Sequence, residues 1–175
     1  MIFTPTKLSG IYIIEPELQK DARGLFARTF CTREFAAHGL AKEFEQCSIS
    51  ASRIRGTLRG LHYQPSPACE VKLVRCTSGA IYEVVVDLRQ NSPTCLQHVG
   101  VELTALNRRA LYIPEMCANG LQTLEDETEV FYHISGIYAP GKLTGVRFSD
   151  PKLGIQWPLP VTMINDRDRS WPLLA

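Results

Sequence analysis

The stretch Ala80–Leu88, with the sequence AIYEVVVDL, gives the strongest β-strand signal in the chain. Valine, isoleucine and tyrosine dominate it, and β-branched and aromatic side chains favour the extended backbone of a sheet. Its apolar run has the length of a strand and is interrupted by Glu83, far short of the ~20 apolar residues that a membrane-spanning helix needs. The stretch therefore predicts a strand.

Other short strand patterns lie on both sides of this stretch, with turn residues between them. They are, in chain order, Ile11–Ile14, Leu25–Phe30, Gln46–Ser50, Thr57–Gln64, Glu70–Cys76, Val99–Leu103, Ala110–Pro114, Val130–Ser135 and Gly145–Phe148. One early helix is expected, with Thr32 as its N-cap and His38 at its end. Many short strands without alternating helices indicate a sandwich or barrel. We expect an all-β jelly-roll barrel with a few short peripheral helices.

Length and composition indicate one globular domain that spans residues 1–175, since 45% of the residues are hydrophobic and 21% are charged. The net charge of +1 provides no basic surface for nucleic acid or for an anionic membrane. The six cysteines form no C-x-x-C pair, and the first residues do not have the pattern of a signal peptide. These features predict reduced thiols and a cytoplasmic protein.

The segment Thr57–Gln64, TLRGLHYQ, sets Arg59 and His62 among apolar residues. This pattern fits either an edge strand with solvated polar groups or a strand whose polar side chains carry chemistry. In a regular strand the two side chains would point to opposite faces of the sheet. Either a bulge at Gly60 redirects one of them to the face of the other, or only one of the two faces a site.

A bound metal is not expected, because the four histidines form no H-x-H or H-x-x-H pair. Nucleotide binding by a glycine-rich loop is not expected either, since no such motif is present. What remains is acid–base chemistry without a cofactor.

His62 is the natural base, because histidine exchanges protons near neutral pH. Lys72 shares its predicted strand face with Val74 and Cys76, and a lysine on an apolar face is costly unless it is paired or functional. Tyr132 and Tyr138 could pass a proton, although most strand tyrosines serve in packing.

A set of motifs, in order and nearly end to end, resembles the dTDP-4-dehydrorhamnose 3,5-epimerase family of cupin-fold enzymes. These motifs are Asp21–Phe26, Leu58–Gln64, Val85–Arg89 with Ser92–Thr94, Tyr112–Glu115, Tyr132–Tyr138, Ser149–Pro151 with Ile155–Pro158, and Asp166–Asp168. The resemblance implies a cupin-type jelly roll. It also implies that C3, C5 or both are inverted in a nucleotide-linked 4-keto-6-deoxy sugar, through an enolate, without metal or cofactor.

The resemblance also implies a role for each catalytic residue. His62 would be the base, oriented by Asp168. Lys72 would lie beside the enolate oxygen, and Tyr132 would be the acid on the opposite face of the sugar.

By the same resemblance, Arg59 and Arg23 would hold the diphosphate of the nucleotide sugar. Arg23 and Phe26 would come from the partner subunit of a homodimer. Gln46 and Tyr138 would help to hold the nucleotide, Tyr138 by stacking.

The chain departs from the family pattern at and near the implied site. Asn119 stands where the family usually has histidine, Glu83 where aspartate is usual, Ser48 in place of asparagine and Phe148 in place of tryptophan. Ser48 and Asn119 are still expected among the substrate-binding residues. Asn119 cannot carry a positive charge or shuttle a proton. Because of Asn119 and Glu83, the alternative is a non-catalytic or altered-activity cupin, such as a sugar-nucleotide binding protein or a keto-isomerase.

Overall fold

The protein is described by a computed structural model, which covers residues 1–41, 43–137 and 141–174. The strands of this part of the chain are β1 Ile2–Pro5, β2 Tyr12–Glu15, β3 Gln19–Asp21, β4 Gly24–Phe26, β5 Gln46–Ser52, β6 Leu58–Tyr63, β7 Lys72–Ser78, β8 Ala80–Asp87, β9 His98–Thr104, β10 Ala110–Ile113, β11 Cys117–Thr123, β12 Thr128–Ile134 and β13 Thr144–Gly145. The helices are α1 Thr32–Ala37 and α2 Asp166–Ser170.

Two antiparallel sheets form the jelly roll. One has six strands in the order β1-β2-β10-β7-β12-β5, and the other has five in the order β13-β6-β11-β8-β9. Neighbours in the sheets are often distant in sequence, as expected when strands cross between two sheets. Strands β3 and β4 form a separate hairpin. The predicted all-β jelly roll is confirmed, and no helix within the described ranges is long and apolar enough to cross a membrane.

The inner faces of the two sheets pack on each other and form the main core. The six-stranded sheet contributes Val74, Leu111 and Val130, and the five-stranded sheet contributes Val85 and Leu121, all of them buried. Because side chains alternate along a strand, Lys72 lies on the face of Val74, and Tyr132 lies on the face of Val130. The same alternation puts Asn119 and Glu83 on the inner face of the other sheet. Polar side chains are therefore directed into the barrel interior.

The outer faces of both sheets are also covered. Phe35 of α1 packs on the six-stranded sheet with Leu73 and Tyr112. Val146 and Leu153, which follow the last strand, pack on the five-stranded sheet. Strands β8 and β10 are therefore buried on both faces, and they are largely apolar rather than strictly alternating.

Three local predictions need correction, and some elements were not predicted. The strand predicted over Leu25–Phe30 ends at Phe26, and the one predicted over Gly145–Phe148 is the two-residue β13. The N-cap of α1 is Cys31 rather than Thr32. Strands β1, β3 and β11 and helix α2 were not predicted. The omission of β11 matters most, because all seven of its residues are buried and it lies at the centre of its sheet.

Candidate active site

A cavity of about 420 Å³ opens between the two sheets. Its walls come from β5, β7 and β12 on one side and from β6 and β11 on the other, and α2 adds residues at its edge. The cavity thus lies between both walls of the barrel, where side chains from opposite sheets can meet one ligand.

Strand β6 contains the bulge that brings two polar side chains to this cavity. His62 pairs with Asn119 of β11, and Arg59 pairs with Leu121, so three steps along β6 match two along β11. Gly60 lies within the bulge at a φ of +123°, which residues with a Cβ rarely adopt. Both Arg59 and His62 therefore line the cavity. The predicted bulge at Gly60 is confirmed.

His62 is held by a buried carboxylate from far along the chain. Its Nε2 lies 2.6 Å from Oδ1 of Asp168, and the Gly60 backbone N–H donates to Oδ2 of Asp168 at 3.0 Å. Asp168 is completely buried. Burial acts to raise the pKa of Asp168, but the hydrogen bond and charge of His62 and the Gly60 N–H outweigh it and lower that pKa. Because an ionised carboxylate can only accept, Nε2 carries the proton, and Nδ1 of the neutral ring is left as the basic nitrogen.

Lys72 reaches from β7 across the interior to the opposite sheet. Its Nζ donates to Oδ1 of Asn119 at 2.9 Å and lies 3.1 Å from Oε1 of Glu70. The side chains of Lys72 and Glu70 are about nine-tenths buried. The expectation that this lysine is paired on an apolar face is confirmed, since Val74 and Cys76 of the same face belong to the core.

Glu83 lies behind Asn119 on the neighbouring strand β8. Oε1 of Glu83 accepts a hydrogen bond of 2.7 Å from Nδ2 of Asn119, and Glu83 is completely buried. Burial raises the pKa of Glu83 to about 8, although the Asn119 hydrogen bond and the Lys72 charge act in the opposite direction. Glu83 is therefore mostly a neutral carboxylic acid at pH 7.

Tyr132 lines the cavity from β12 of the six-stranded sheet, whereas His62 lines it from the five-stranded sheet. Burial is the main reason why the pKa of Tyr132 is raised, and the charge of Glu83 adds to this shift. Tyr132 thus stays protonated and can donate a proton into the cavity from the wall opposite His62.

The structure also locates the predicted substrate-binding residues. Gln46, Ser48, Arg59 and Asn119 line the cavity. Arg59 is fixed there by hydrogen bonds to Ser52 Oγ at 3.0 Å and to the Ala51 carbonyl at 2.9 Å.

Arg23 and Phe26 do not line this cavity. They lie on the β3–β4 hairpin, where the Arg23 side chain is 90% exposed and pairs with Asp21, and Phe26 is 71% exposed. Tyr138 lies outside the described residues.

Several residues of the cavity wall were not predicted, and Gln64, Glu70 and Arg167 are among them. Glu70 could have been found from its position two residues before Lys72, because such a spacing in extended backbone gives a shared face. Gln64 closes the Leu58–Gln64 motif, and its Nε2 donates to Oε2 of Glu70 at 2.5 Å. Gln64, Glu70 and Lys72 thus form one connected polar wall.

Comparison with known proteins agrees with this fold. The family description that matches residues 5–175 is "dTDP-4-dehydrorhamnose 3,5-epimerase". A protein of that name from Methanothermobacter thermautotrophicus is 43% identical over 97% of this chain and 92% of its own length. A dTDP-4-dehydrorhamnose 3-epimerase from Streptomyces niveus is 37% identical over 100% of this chain and 84% of its own length. The crystal structure of a dTDP-4-dehydrorhamnose 3,5-epimerase from Bacillus anthracis with TDP and PPi bound superposes with a TM-score of 0.95 at 37% identity, covering 99% of each chain.

The fold and the polar cavity define a cupin-type jelly-roll enzyme, and the sequence comparison specifies which kind. The chain belongs to the dTDP-4-dehydrorhamnose 3,5-epimerase family, and it is therefore an isomerase. The resemblance stated from its motifs is confirmed. These findings support epimerase activity and not the alternative of a cupin that lacks it.

Proposed function

We propose that the protein inverts C3, C5 or both in a dTDP-linked 4-keto-6-deoxy sugar, and that it functions as one domain over residues 1–175. The observation that carries the mechanism is the placement of His62 and Tyr132 on opposite walls of one cavity. Inversion requires that a proton leave one face of the sugar and that another arrive on the opposite face. A base and an acid that face each other across the substrate meet this requirement.

In this mechanism, Nδ1 of His62 removes the proton from the carbon next to the C4 carbonyl. Asp168 holds the ring by its Nε2–H, as the 2.6 Å contact implies, and stabilises the imidazolium that forms. The electron pair of the broken C–H bond forms a double bond to C4. The electron pair of the C4 carbonyl moves onto its oxygen, which becomes the enolate oxygen. Lys72 donates to that oxygen, since a preorganised cation in a dry site stabilises developing negative charge.

Tyr132 then delivers its hydroxyl proton to the carbon from the opposite face. The enolate returns its electron pair to form the new C–H bond, and the carbonyl is restored. Solvent reprotonates the phenolate, and His62 releases its proton. No electron leaves or enters the sugar, so the reaction balances without a redox partner.

The fixed guanidinium of Arg59 is proposed to hold the diphosphate, with Gln46 and Ser48 of β5 beside the nucleotide. Arginine suits this task because its planar group meets phosphate oxygens with paired hydrogen bonds. Tyr138 is proposed to stack on the base of the nucleotide.

A homodimer is also proposed, in which the β3–β4 hairpin of one subunit supplies Arg23 and Phe26 to the cavity of the other. The support is the hairpin's exposure, which leaves a cation and an aromatic ring away from their own cavity.

None of the six cysteines, all within the described ranges, forms a disulfide. This favours a reducing compartment, the cytoplasm.

The test of the reaction is incubation with dTDP-4-keto-6-deoxyglucose in deuterated water, followed by NMR at C3 and C5. Deuterium at both carbons supports the double epimerase, and deuterium at one supports the single-centre variant. Absence of deuterium at both carbons refutes the epimerase proposal for this substrate. His62→Ala should abolish exchange, while His38→Ala, an exposed histidine at the end of α1, should leave it unchanged.

The dimer is tested by mixing two inactive variants, His62→Ala and Arg23→Ala. If Arg23 acts on the partner's cavity, a mixed dimer contains one complete site, and about a quarter of the wild-type activity returns. If Arg23 acts within its own subunit, no site is complete and the mixture stays inactive.

A further inference from the structure

Glu83 is a buried acid to which the mechanism above gives no task. Its Oε1 accepts from Asn119, but its Oε2 has no hydrogen-bond partner within the described ranges. A buried carboxylate with an unsatisfied oxygen is costly, so this position is suited to a neutral acid. The charged and titratable side chains that influence it, or are influenced by it, are Lys72 from β7 and Tyr132 from β12.

The contacts of Glu83 determine which way the Asn119 amide points. Asn119 offers one donor group and one acceptor, and the two face different partners. Oε1 of Glu83 takes the Nδ2–H of Asn119, which turns Oδ1 toward the Lys72 ammonium. In the flipped amide, Nδ2 would face the ammonium and two donors would meet. The acceptor oxygen of Glu83 therefore fixes the orientation in which Oδ1 of Asn119 accepts from Lys72.

Lys72 is thereby held at two of its three N–H groups. One is directed to Asn119 at 2.9 Å and another to Glu70 at 3.1 Å. The third remains for a substrate oxygen in the cavity that Lys72 lines. Asn119 belongs to the five-stranded sheet, and Glu70 lies two residues before Lys72, where β7 of the six-stranded sheet begins, so contacts from both sides of the cavity determine where the ammonium lies.

We propose that Glu83 is a positioning residue, which acts through Asn119 to hold the Lys72 ammonium where the enolate oxygen of the substrate forms. This inference rests on the proposed function. Glu83 contributes as a hydrogen-bond acceptor and not as an anion, because a negative charge beside the site of enolate formation would oppose the reaction.

Two variants of nearly the same length as glutamate separate these contributions. Glu83→Met fills the space but removes the acceptor, whereas Glu83→Gln keeps an oxygen for the Asn119 amide. We expect Glu83→Met to lower kcat by about 10- to 100-fold, since a misplacement of ~1 Å can cost about 10²-fold. Its KM should change little because the phosphate contacts are untouched. Glu83→Gln should restore most of kcat, and Glu102→Met, at an exposed position on the adjacent strand β9, serves as the control.

The pH profile distinguishes positioning from simple structural support. In the wild type, burial raises the pKa of Glu83 to about 8, so we expect its ionisation at higher pH to add negative charge to the site and to lower kcat. Glu83→Gln lacks this ionisation, so its kcat should persist to higher pH. The melting temperature of each variant is measured in parallel to separate loss of kcat from loss of folded protein.

Crystal structures of both variants give a reading that does not depend on turnover. Lys72 should move away from Asn119 in the methionine variant and stay in place in the glutamine variant. The proposal is overturned if Glu83→Met keeps Lys72 in place and retains kcat within about threefold of the wild type. It is also overturned if the glutamine variant loses as much kcat as the methionine variant. Failure of the proposed function looks different, because the wild type itself would then show no deuterium exchange.

Discussion

The Asp168→Asn substitution tests the account of the base most sharply. It keeps the shape of the side chain but replaces one acceptor oxygen by a donor NH₂ group. In the wild type both oxygens accept, Oδ1 from His62 and Oδ2 from the Gly60 N–H. The backbone N–H of Gly60 cannot change its role, so it requires that the one oxygen of the substituted side chain face it. The new NH₂ group then faces Nε2 of His62.

This orientation reverses the tautomer of His62. Nε2 must now accept, so the proton of the neutral ring moves to Nδ1, the nitrogen assigned to the base. Loss of the required tautomer in a comparable His–Asp pair costs up to ~10⁴-fold in kcat, and we expect a loss of ~10³- to 10⁴-fold. Both hydrogen bonds persist in neutral form, so the free energy of unfolding should fall by only about 1–2 kcal/mol at pH 7.

The assay is the rate of deuterium incorporation at C3 and C5, with Asp166→Asn as the control, because Asp166 is an exposed residue of the same helix. Exchange by Asp168→Asn within about threefold of the wild type would refute the tautomer argument. Stability gives a second check. The pKa of Asp168 is lowered in the folded protein. The wild type should therefore be more stable than the variant at pH values above the usual pKa of an aspartate. This difference in the free energy of unfolding should disappear as the pH falls through the pKa of Asp168 in the folded state.

Three other substitutions give clear expectations. Gly60→Ala should cost about 3 kcal/mol of stability in urea unfolding, because a Cβ there would lie 2.5 Å from the Gly120 Cα at a φ of +123°; a cost under about 1 kcal/mol would contradict the bulge geometry. Burial acts to raise the pKa of Asp87, but hydrogen bonds from side chains of the following loop hold it far below its usual range. Asp87→Asn should therefore lower the melting temperature by about 10 °C at pH 7, and the difference should vanish only in strongly acidic solution; an equal difference at all pH values would argue against an ionised Asp87. Arg59→Ala should weaken TDP binding about 10-fold in calorimetry with an unchanged melting temperature, and unchanged affinity would exclude the phosphate role.

Strand-rich architecture could be predicted from residues whose preferences agree with their place in the fold. Strand β8, Ala80–Asp87, is an example, since its β-branched residues fill the interior of a sheet. Strand β11, Cys117–Thr123, was missed because Asn119, Gly120 and Gln122 interrupt the apolar pattern. Its position between two strands imposes the extended backbone, and such context overrides local propensity.

The site divides in a similar way. Arg59 and His62 could be recognised from polar residues within an apolar strand, and Lys72 from its shared face with Val74. The connection from Glu83 through Asn119 to Lys72 could not be predicted, because these residues come from three strands and two sheets. Helix α2, Asp166–Ser170, also escaped prediction. It has five residues, and its N-cap Asn165 accepts from the Asp168 N–H, a short signal that many turns share.

Asp168 follows His62 by 106 positions, and this separation has a consequence for biosynthesis. When residues 1–150 have left the ribosome, every strand of the two large sheets has been made, but the acid that orients the base has not. The later segment joins the barrel where Leu58 N–H donates to the Met163 carbonyl and Gly60 N–H donates to Asp168. Sheet formation and activity should therefore appear at different times during synthesis. Activity should appear only after the segment that contains Met163 and Asp168 has packed on β6.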